Sequence, residues 1–244
     1  MGKDGQGARA VDQIAAKDVP SDLAAIDPDA CARVCRFIEA NLPAGPVPSL
    51  PEICLHRAKP NSGLWRLAER DDHFATPYWA YLWGGGLALA RYILDHPALA
   101  AGLGILDLGC GSGLVGIAAA KSGAERVLAA DIDPYAIAAA GLNAALNGVR
   151  LRTIAADLTA ASPPAVDLVL IGDLFYEQCL AEKVSMFVDR CLDSKIAVLI
   201  GDPGRAFLPR DRLQLLAQYP GLDFAEAQRL EGTRNAVYAP LPST

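Results

Sequence analysis

Four aspartates and a glycine-rich turn carry the clearest chemistry in this 244-residue chain. Asp107, Asp131, Asp157 and Asp173 stand at or just beyond the ends of four short, mostly apolar stretches: Ile105 to Leu108, Arg126 to Ala130, Leu151 to Ala155 and Leu168 to Ile171. Ligands of open α/β sheets lie at the carboxyl ends of the strands, so four such carboxylates in succession point to one polar crevice. Asp107 opens the run Asp-Leu-Gly-Cys-Gly-Ser-Gly113, which leads into Leu114-Val-Gly116. An apolar run stopped by glycines and followed by good helix formers reads as buried strand, tight turn and helix. Gly109, Gly111 and Gly113 let the backbone turn sharply and approach a ligand, whose electronegative groups the free N–H groups of the next helix favour. Gly111 to Gly116 also has the GxGxxG spacing of dinucleotide enzymes. Asp107 separates these readings, because a carboxylate just before the glycines repels a pyrophosphate and suits a ligand that presents a cationic amino group. A purely structural glycine turn is the bland alternative. Each aspartate taken alone also suits a turn or a helix cap, Asp157 as readily as it suits a ligand, and Asp133 before Pro134 reads as a cap.

Read as one unit, residues 107 to 113 resemble motif I of the class I S-adenosylmethionine-dependent methyltransferases. The resemblance implies that Asp107 faces the methionine ammonium group, with Gly109, Gly111 and Gly113 against the cofactor. Asp131, about twenty residues beyond the glycines, is then placed to accept both ribose hydroxyls. Ile132 would lie against the adenine face and Asp157 would accept the adenine amino group. Gly172-Asp-Leu-Phe-Tyr176 matches an Asp-x-x-Tyr motif found after the fourth strand in a lysine-directed branch of these enzymes, where Asp and the aromatic ring line the acceptor channel. That makes Asp173, Phe175 and Tyr176 the candidate catalytic residues, with Gly172 beside the cofactor. A lysine amine has a free pKa of about 10.4, so presenting it neutral at pH 7 costs about 4 to 5 kcal/mol. Desolvation by Phe175 and Tyr176 lowers that pKa, whereas Asp173 alone raises it. Asp173 is therefore expected to orient the amine, not to act as a strong base.

A third stretch, Phe74-Ala-Thr-Pro-Tyr-Trp-Ala-Tyr-Leu-Trp-Gly-Gly-Gly86, crowds aromatics before three glycines and an amphipathic helix from Leu87 to Leu94. Such a helix start suits close approach to a ligand, while Trp79 reads as a large core residue. Phe74 to Pro97, Asp107 to Gly116 and Gly172 to Glu177 together resemble the electron transfer flavoprotein beta-subunit lysine methyltransferase family, including its bacterial members. The likeness spans roughly residues 50 to 240. It implies that Trp83 and the adjacent Gly85 abut the cofactor and that the protein substrate offers its lysines in a recognition loop. Gly84 departs from the proline of that family. The implied activity is methyl transfer from S-adenosyl-L-methionine to lysines of the electron transfer flavoprotein beta subunit, with a basic-loop ribosomal protein as a further substrate. A small-molecule, nicotinamide-like N-methyltransferase and a non-catalytic S-adenosylmethionine-binding regulatory module are the rivals.

The elements that position these residues follow from the rest of the chain. At 244 residues and 52% hydrophobic content there is material for one α/β core and little for a second. Strands alternating with helices predict a parallel sheet covered on both faces. The expected fold is a Rossmann-like class I methyltransferase, with a seven-stranded mostly parallel sheet, a terminal antiparallel hairpin and an N-terminal helical extension. Residues 1–26 read as a flexible leader, 27–73 as the extension and 74–244 as the methyltransferase domain. Within the extension, Asp27-Pro28 starts a helix that Pro43 ends, and Ile53 to His56 suits an edge strand. A helix is expected near Leu213 and strands near Phe224 and Val237. A net charge of −6 argues against a nucleic-acid partner and favours a basic protein segment. Six scattered cysteines form no metal or disulfide pattern, so no metal is expected. With neither a signal peptide nor a membrane span in the sequence, a cytoplasmic monomer is expected.

Overall fold

The computed structural model describes residues 28–69, 74–221 and 234–241. The leader, the Asp27 cap and the strand near Phe224 lie outside the described residues. Helix α1 (Pro28–Asn41) precedes a hairpin of β1 (Ala44–Val47) and β2 (Leu50–His56), a single turn α2 (Trp65–Ala68), and helix α3 (Gly84–Asp95). Then β3 (Gly104–Leu108), α4 (Leu114–Lys121), β4 (Arg126–Asp131), α5 (Pro134–Leu146) and β5 (Arg152–Ala155) alternate. They are followed by β6 (Leu168–Gly172), α6 (Gln178–Asp193), β7 (Ala197–Asp202), β8 (Leu213–Pro220) and β9 (Arg234–Pro240).

Seven strands form one sheet in the order β5-β4-β3-β6-β7-β9-β8. The first five are parallel, and β9 runs antiparallel to both β7 and β8. This is the Rossmann-like sheet of the class I methyltransferases, ending in the expected hairpin. The chain moves outward from β3 to β5 and then crosses back to lay β6 on the other side of β3. Ligand crevices open at that reversal, at the carboxyl ends of β3 and β6.

Every residue of β3 is buried, as a central strand covered on both faces requires. Its side chains divide with period two. Leu106 and Leu108 pack with Val169, Ile171 and the α6 residues Val184 and Phe187, whereas Ile105 packs with Leu168, Leu170 and the α3 residues Leu89 and Ile93. Each such aliphatic side chain contributes about 1.5–3 kcal/mol on burial, so the two faces fix both register and helix placement.

One expectation is met in a different sheet and one is corrected. The segment Ile53 to His56 is an edge strand, in a separate two-stranded sheet. Val47, Leu50, Ile53 and Leu55 cover Leu87, Leu114 and Ile117, and Asn147, which caps the end of α5, clamps Cys54 by accepting its N–H (2.9 Å) and donating to its carbonyl (2.6 Å). The segment at Leu213 is a strand, not a helix. Leu213 and Leu216 imitate helical spacing, but a bulge between Leu215 and Ala217 shifts the alternation, and β9 pairs along the whole strand.

Candidate active site

The carboxyl ends of β3, β4, β5 and β6 and the start of α3 surround a cavity of about 770 Å³. Trp83, Asp107, Gly109, Gly111, Asp131, Ile132, Asp157, Gly172, Asp173 and Tyr176 all line it. Gly85, Gly113 and Phe175 do not. Phe175 is 1% exposed and lies in the core with Val184, Phe187 and Ile200, so Tyr176 alone of that pair faces the cavity. A Cβ on Gly85 would sit 2.2 Å from the carbonyl oxygen of Gly201, so this glycine serves the packing of α3 on β7. Gly113 (φ 80) starts α4, where a Cβ would lie 3.0 Å from Ala140.

Asp107 is buried, with Oδ2 accepting the Gly116 N–H at 2.8 Å. Burial pushes its carboxyl up to about 7, the Gly116 N–H opposes this, and the neighbouring Asp131 adds to it. Among the described residues no cation pairs with it. Such a carboxylate gains most from a ligand that brings its own ammonium. At the end of β4, Asp131 accepts the N–H groups of Gly111 (2.9 Å) and Asp133 (3.0 Å), which ties the glycine turn to the next strand. Burial raises its pKa. Asp133 caps α5 by accepting the Tyr135 N–H at 2.8 Å, as its place before Pro134 suggests. Asp157 takes the capping role and also lines the cavity. Its Oδ1 accepts the Thr159 N–H at 2.9 Å and caps a short turn, while Oδ2 stays in the cavity wall, 3.8 Å from Lys183 Nζ.

At the other end stands Asp173, in the left-handed region at φ 59, a conformation that costs a non-glycine residue about 1–2 kcal/mol. Three contacts hold it there. Its N–H donates to Gly201 O (2.9 Å), its Oδ2 accepts the Gly86 N–H (2.6 Å), and its Oδ1 pairs with Arg205 Nη2 (2.9 Å). Burial raises its pKa to about 6, against the lowering influence of Arg205 and the Gly86 and Gly85 N–H groups. Its carboxylate therefore sits on the N-terminus of α3, where Gly86 has no side chain to intervene. Tyr176, 45% exposed, stands 5.8 Å from the ring of Tyr78, which in turn meets Trp83 edge-on at 5.5 Å. Trp83 Nε1 donates to the Tyr78 carbonyl at 2.8 Å, and Trp79 is buried in the core beneath.

Tyr78, Lys183 and Arg205 line the cavity but were not singled out from sequence. Arg205 follows Asp202-Pro-Gly at the end of β7, one strand beyond the last aspartate considered, and that position was its available signal.

Residues 90–188 match the family described as ribosomal protein L11 methyltransferase. Over 194 residues the chain is 39% identical to the electron transfer flavoprotein beta subunit lysine methyltransferase of Danio rerio, covering 77% of this chain and 75% of that one. With the Xenopus laevis protein of the same name the identity is 37% over 222 residues, 88% of this chain and 90% of the relative. The chain belongs to this methyltransferase family. S-adenosyl-L-methionine is accordingly its methyl donor. Among solved structures, ribosomal protein L11 methylase from Lactobacillus delbrueckii aligns with a TM-score of 0.45 at 23% identity, over 63% of this chain and 77% of that one. The cavity suits the donor on its own chemistry: a buried carboxylate that no cation pairs with among the described residues at one end, and a glycine-rich turn beside it. No group of three or more metal-ligating side chains occurs among the described residues, and none of their helices is long and apolar enough to cross a membrane.

Proposed function

We propose that this protein methylates lysine side chains of a protein substrate, and that the substrate is the electron transfer flavoprotein beta subunit named for its relatives. The observation that carries the reading is one cavity with two unlike ends. A cation-seeking carboxylate, Asp107, stands at one, and a held carboxylate beside aromatic rings, Asp173 with Tyr176, at the other. Asp107 faces the methionine ammonium, Asp131 the ribose hydroxyls, Ile132 the adenine face and Asp157 the adenine amino group. Gly109, Gly111 and Gly172 leave room for close backbone approach, and Trp83 closes the wall. S-adenosyl-L-methionine, when bound, would supply a sulfonium methyl group for transfer to the amine lone pair. Asp173 then has one task, to accept a hydrogen bond from the acceptor amine and so aim its lone pair. Tyr176 and Tyr78, each about half exposed, would shed water from the same place once an acceptor lies against them, which favours the uncharged amine.

The rim favours a basic partner. Of the cavity-lining acids, Asp157 and Glu177 are exposed and Asp133 is partly so, against the exposed Lys183, on a chain of net charge −6. A basic ribosomal protein is proposed as a second substrate, and the working form as a cytoplasmic monomer. The division into a leader over 1–26, an extension over 27–73 and a catalytic domain over 74–244 is retained as part of this proposal.

The test incubates the protein with methyl-labelled S-adenosyl-L-methionine and purified electron transfer flavoprotein, ribosomal protein and nicotinamide in parallel, and then maps the label. The expected result is label on lysines of the flavoprotein beta subunit. Label on nicotinamide alone would make the acceptor a small ring, and bound cofactor without transfer to any acceptor would make the protein a regulatory module.

A further inference from the structure

We propose that Arg205 is the residue that lets Asp173 receive an amine: it holds the carboxylate, balances its charge, and so keeps the acceptor lysine uncharged. The inference rests on the lysine reading above and names a positioning residue for that reaction.

The loop that carries Arg205 is built to deliver it. Asp202, the last residue of β7, is buried, and its Oδ1 accepts the N–H groups of Gly204 and Arg205, each at 2.7 Å. Gly204 takes φ 92, and Arg210 donates to its carbonyl. From this latched turn the Arg205 side chain crosses to the neighbouring loop after β6. There Nη2 lies 2.9 Å from Asp173 Oδ1, and Cζ lies 5.5 Å from the ring centre of Trp83. The Arg205 side chain is 20% exposed and that of Asp173 10%, so water screens this pair little.

Two effects of opposite sign meet on an amine placed at Asp173. The carboxylate stabilises the ammonium form, which has no lone pair to give. A guanidinium within about 3 Å of the same carboxylate repels a second cation and stabilises the neutral form. With both present the site offers an acceptor for an amine N–H at little net charge. The guanidinium also keeps Asp173 ionised against burial, so the acceptor role survives. A neutral donor in place of Arg205 would hold Asp173 as well but would leave the amine protonated.

The groups facing this pair are few. On its own loop Arg205 meets Asp202, with Arg210 nearby. From the loop after β6 it meets Asp173 and Tyr176, and Tyr176 in turn feels Tyr78, Glu177 and Asp131. From α3 it meets the Trp83 ring and, through Asp173, the Gly85 and Gly86 N–H groups, none of which titrates. Removing Arg205 therefore moves the acidic limb of the rate profile upward for two reasons of the same sign. The amine holds its proton to higher pH, and so does Asp173.

The experiment measures kcat from pH 6 to 10 on the protein acceptor, and S-adenosylhomocysteine affinity by calorimetry, for the unaltered protein, Arg205→Gln and Arg205→Lys. Arg205→Gln is expected to bind S-adenosylhomocysteine within about twofold of the unaltered protein, lose roughly tenfold or more in kcat at pH 7.5, and rise about one pH unit later. Arg205→Lys is expected to keep the position of the profile at a lower plateau. A Gln profile parallel to the unaltered one at every pH, loss of S-adenosylhomocysteine binding, or a Lys profile displaced as far as the Gln one overturns the proposal. Failure of the unaltered protein to methylate any protein amine instead overturns the reading beneath it.

Discussion

At the scale of residues, the two cavity carboxylates Asp107 and Asp173 are alike in burial and different in partners. Both are pushed upward by desolvation, to about 7 and about 6 respectively. Asp173 already has a cation, whereas Asp107 has one backbone N–H and waits for its charge to be met by a ligand. The sign of the pH effect follows. A carboxyl whose folded pKa is raised favours the folded state fully below its unfolded value near 3.8, and that contribution is lost as pH rises through about 7 for Asp107. Thermal melts without ligand should therefore fall between pH 5 and 7.5, and Asp107→Asn should flatten that slope. The rise in Tm on adding S-adenosylhomocysteine should grow over the same range, because the ligand ammonium requires an ionised Asp107. Melts of Asp107→Asn as steep as those of the unaltered protein would show that the carboxyl does not titrate there. Phe175 and Tyr176 teach a different lesson. In the loop after β6 no regular period fixes which of two adjacent rings turns inward, and composition alone did not say that Phe175 enters the core while Tyr176 meets Tyr78.

At the scale of elements, the start of α3 is where packing and chemistry meet. Its three glycines divide the work: Gly84 and Gly85 let the helix end touch β9 and β7, and Gly86 gives its N–H to Asp173. A Cβ on Gly84 would lie 2.3 Å from the side chain of Asn235, a polar group at the end of a movable side chain. Gly85→Ala has no such flexible neighbour, since its obstacle is the Gly201 backbone. It should cost about 1–3 kcal/mol, read as a fall of about 2–4 °C in Tm per kcal/mol, and should lower kcat by displacing the helix end from Asp173. An unchanged Tm in a melting experiment would contradict the packing described here. The strands and glycine turn of the parallel half were legible from sequence because each is local: an apolar run, then residues that break it. Gly85 was legible as important but not for its reason, since Gly201 is distant in the chain and reaches α3 only through the sheet. Arg205 was hidden for the same cause. The order that sets β7 beside β6 is a long-range fact, and no local spacing links Arg205 to Asp173. At Leu213 the local signal was misleading: Leu213 and Leu216 stand three residues apart, and the bulge between Leu215 and Ala217 lets a strand carry that spacing.

At the scale of the whole molecule, a chain of net charge −6 with exposed Asp157 and Glu177 at the cavity is suited to attract a basic protein segment. Raising salt from about 25 to 250 mM should increase KM for the protein acceptor by roughly three- to tenfold while leaving S-adenosylhomocysteine affinity nearly unchanged, since exposed charges are screened and buried ones are not. Steady-state kinetics at the two salt concentrations check this, and a salt-independent KM would remove the electrostatic part of the account. The most direct measurement concerns the two ends of the cavity together. Asp107→Ala and Asp173→Ala are each titrated with S-adenosylhomocysteine by calorimetry and assayed for single-turnover methyl transfer to the flavoprotein beta subunit. The account predicts that Asp107→Ala loses ligand binding, whereas Asp173→Ala binds nearly as the unaltered protein does and transfers no methyl group. Equal loss of binding in the two variants would contradict it.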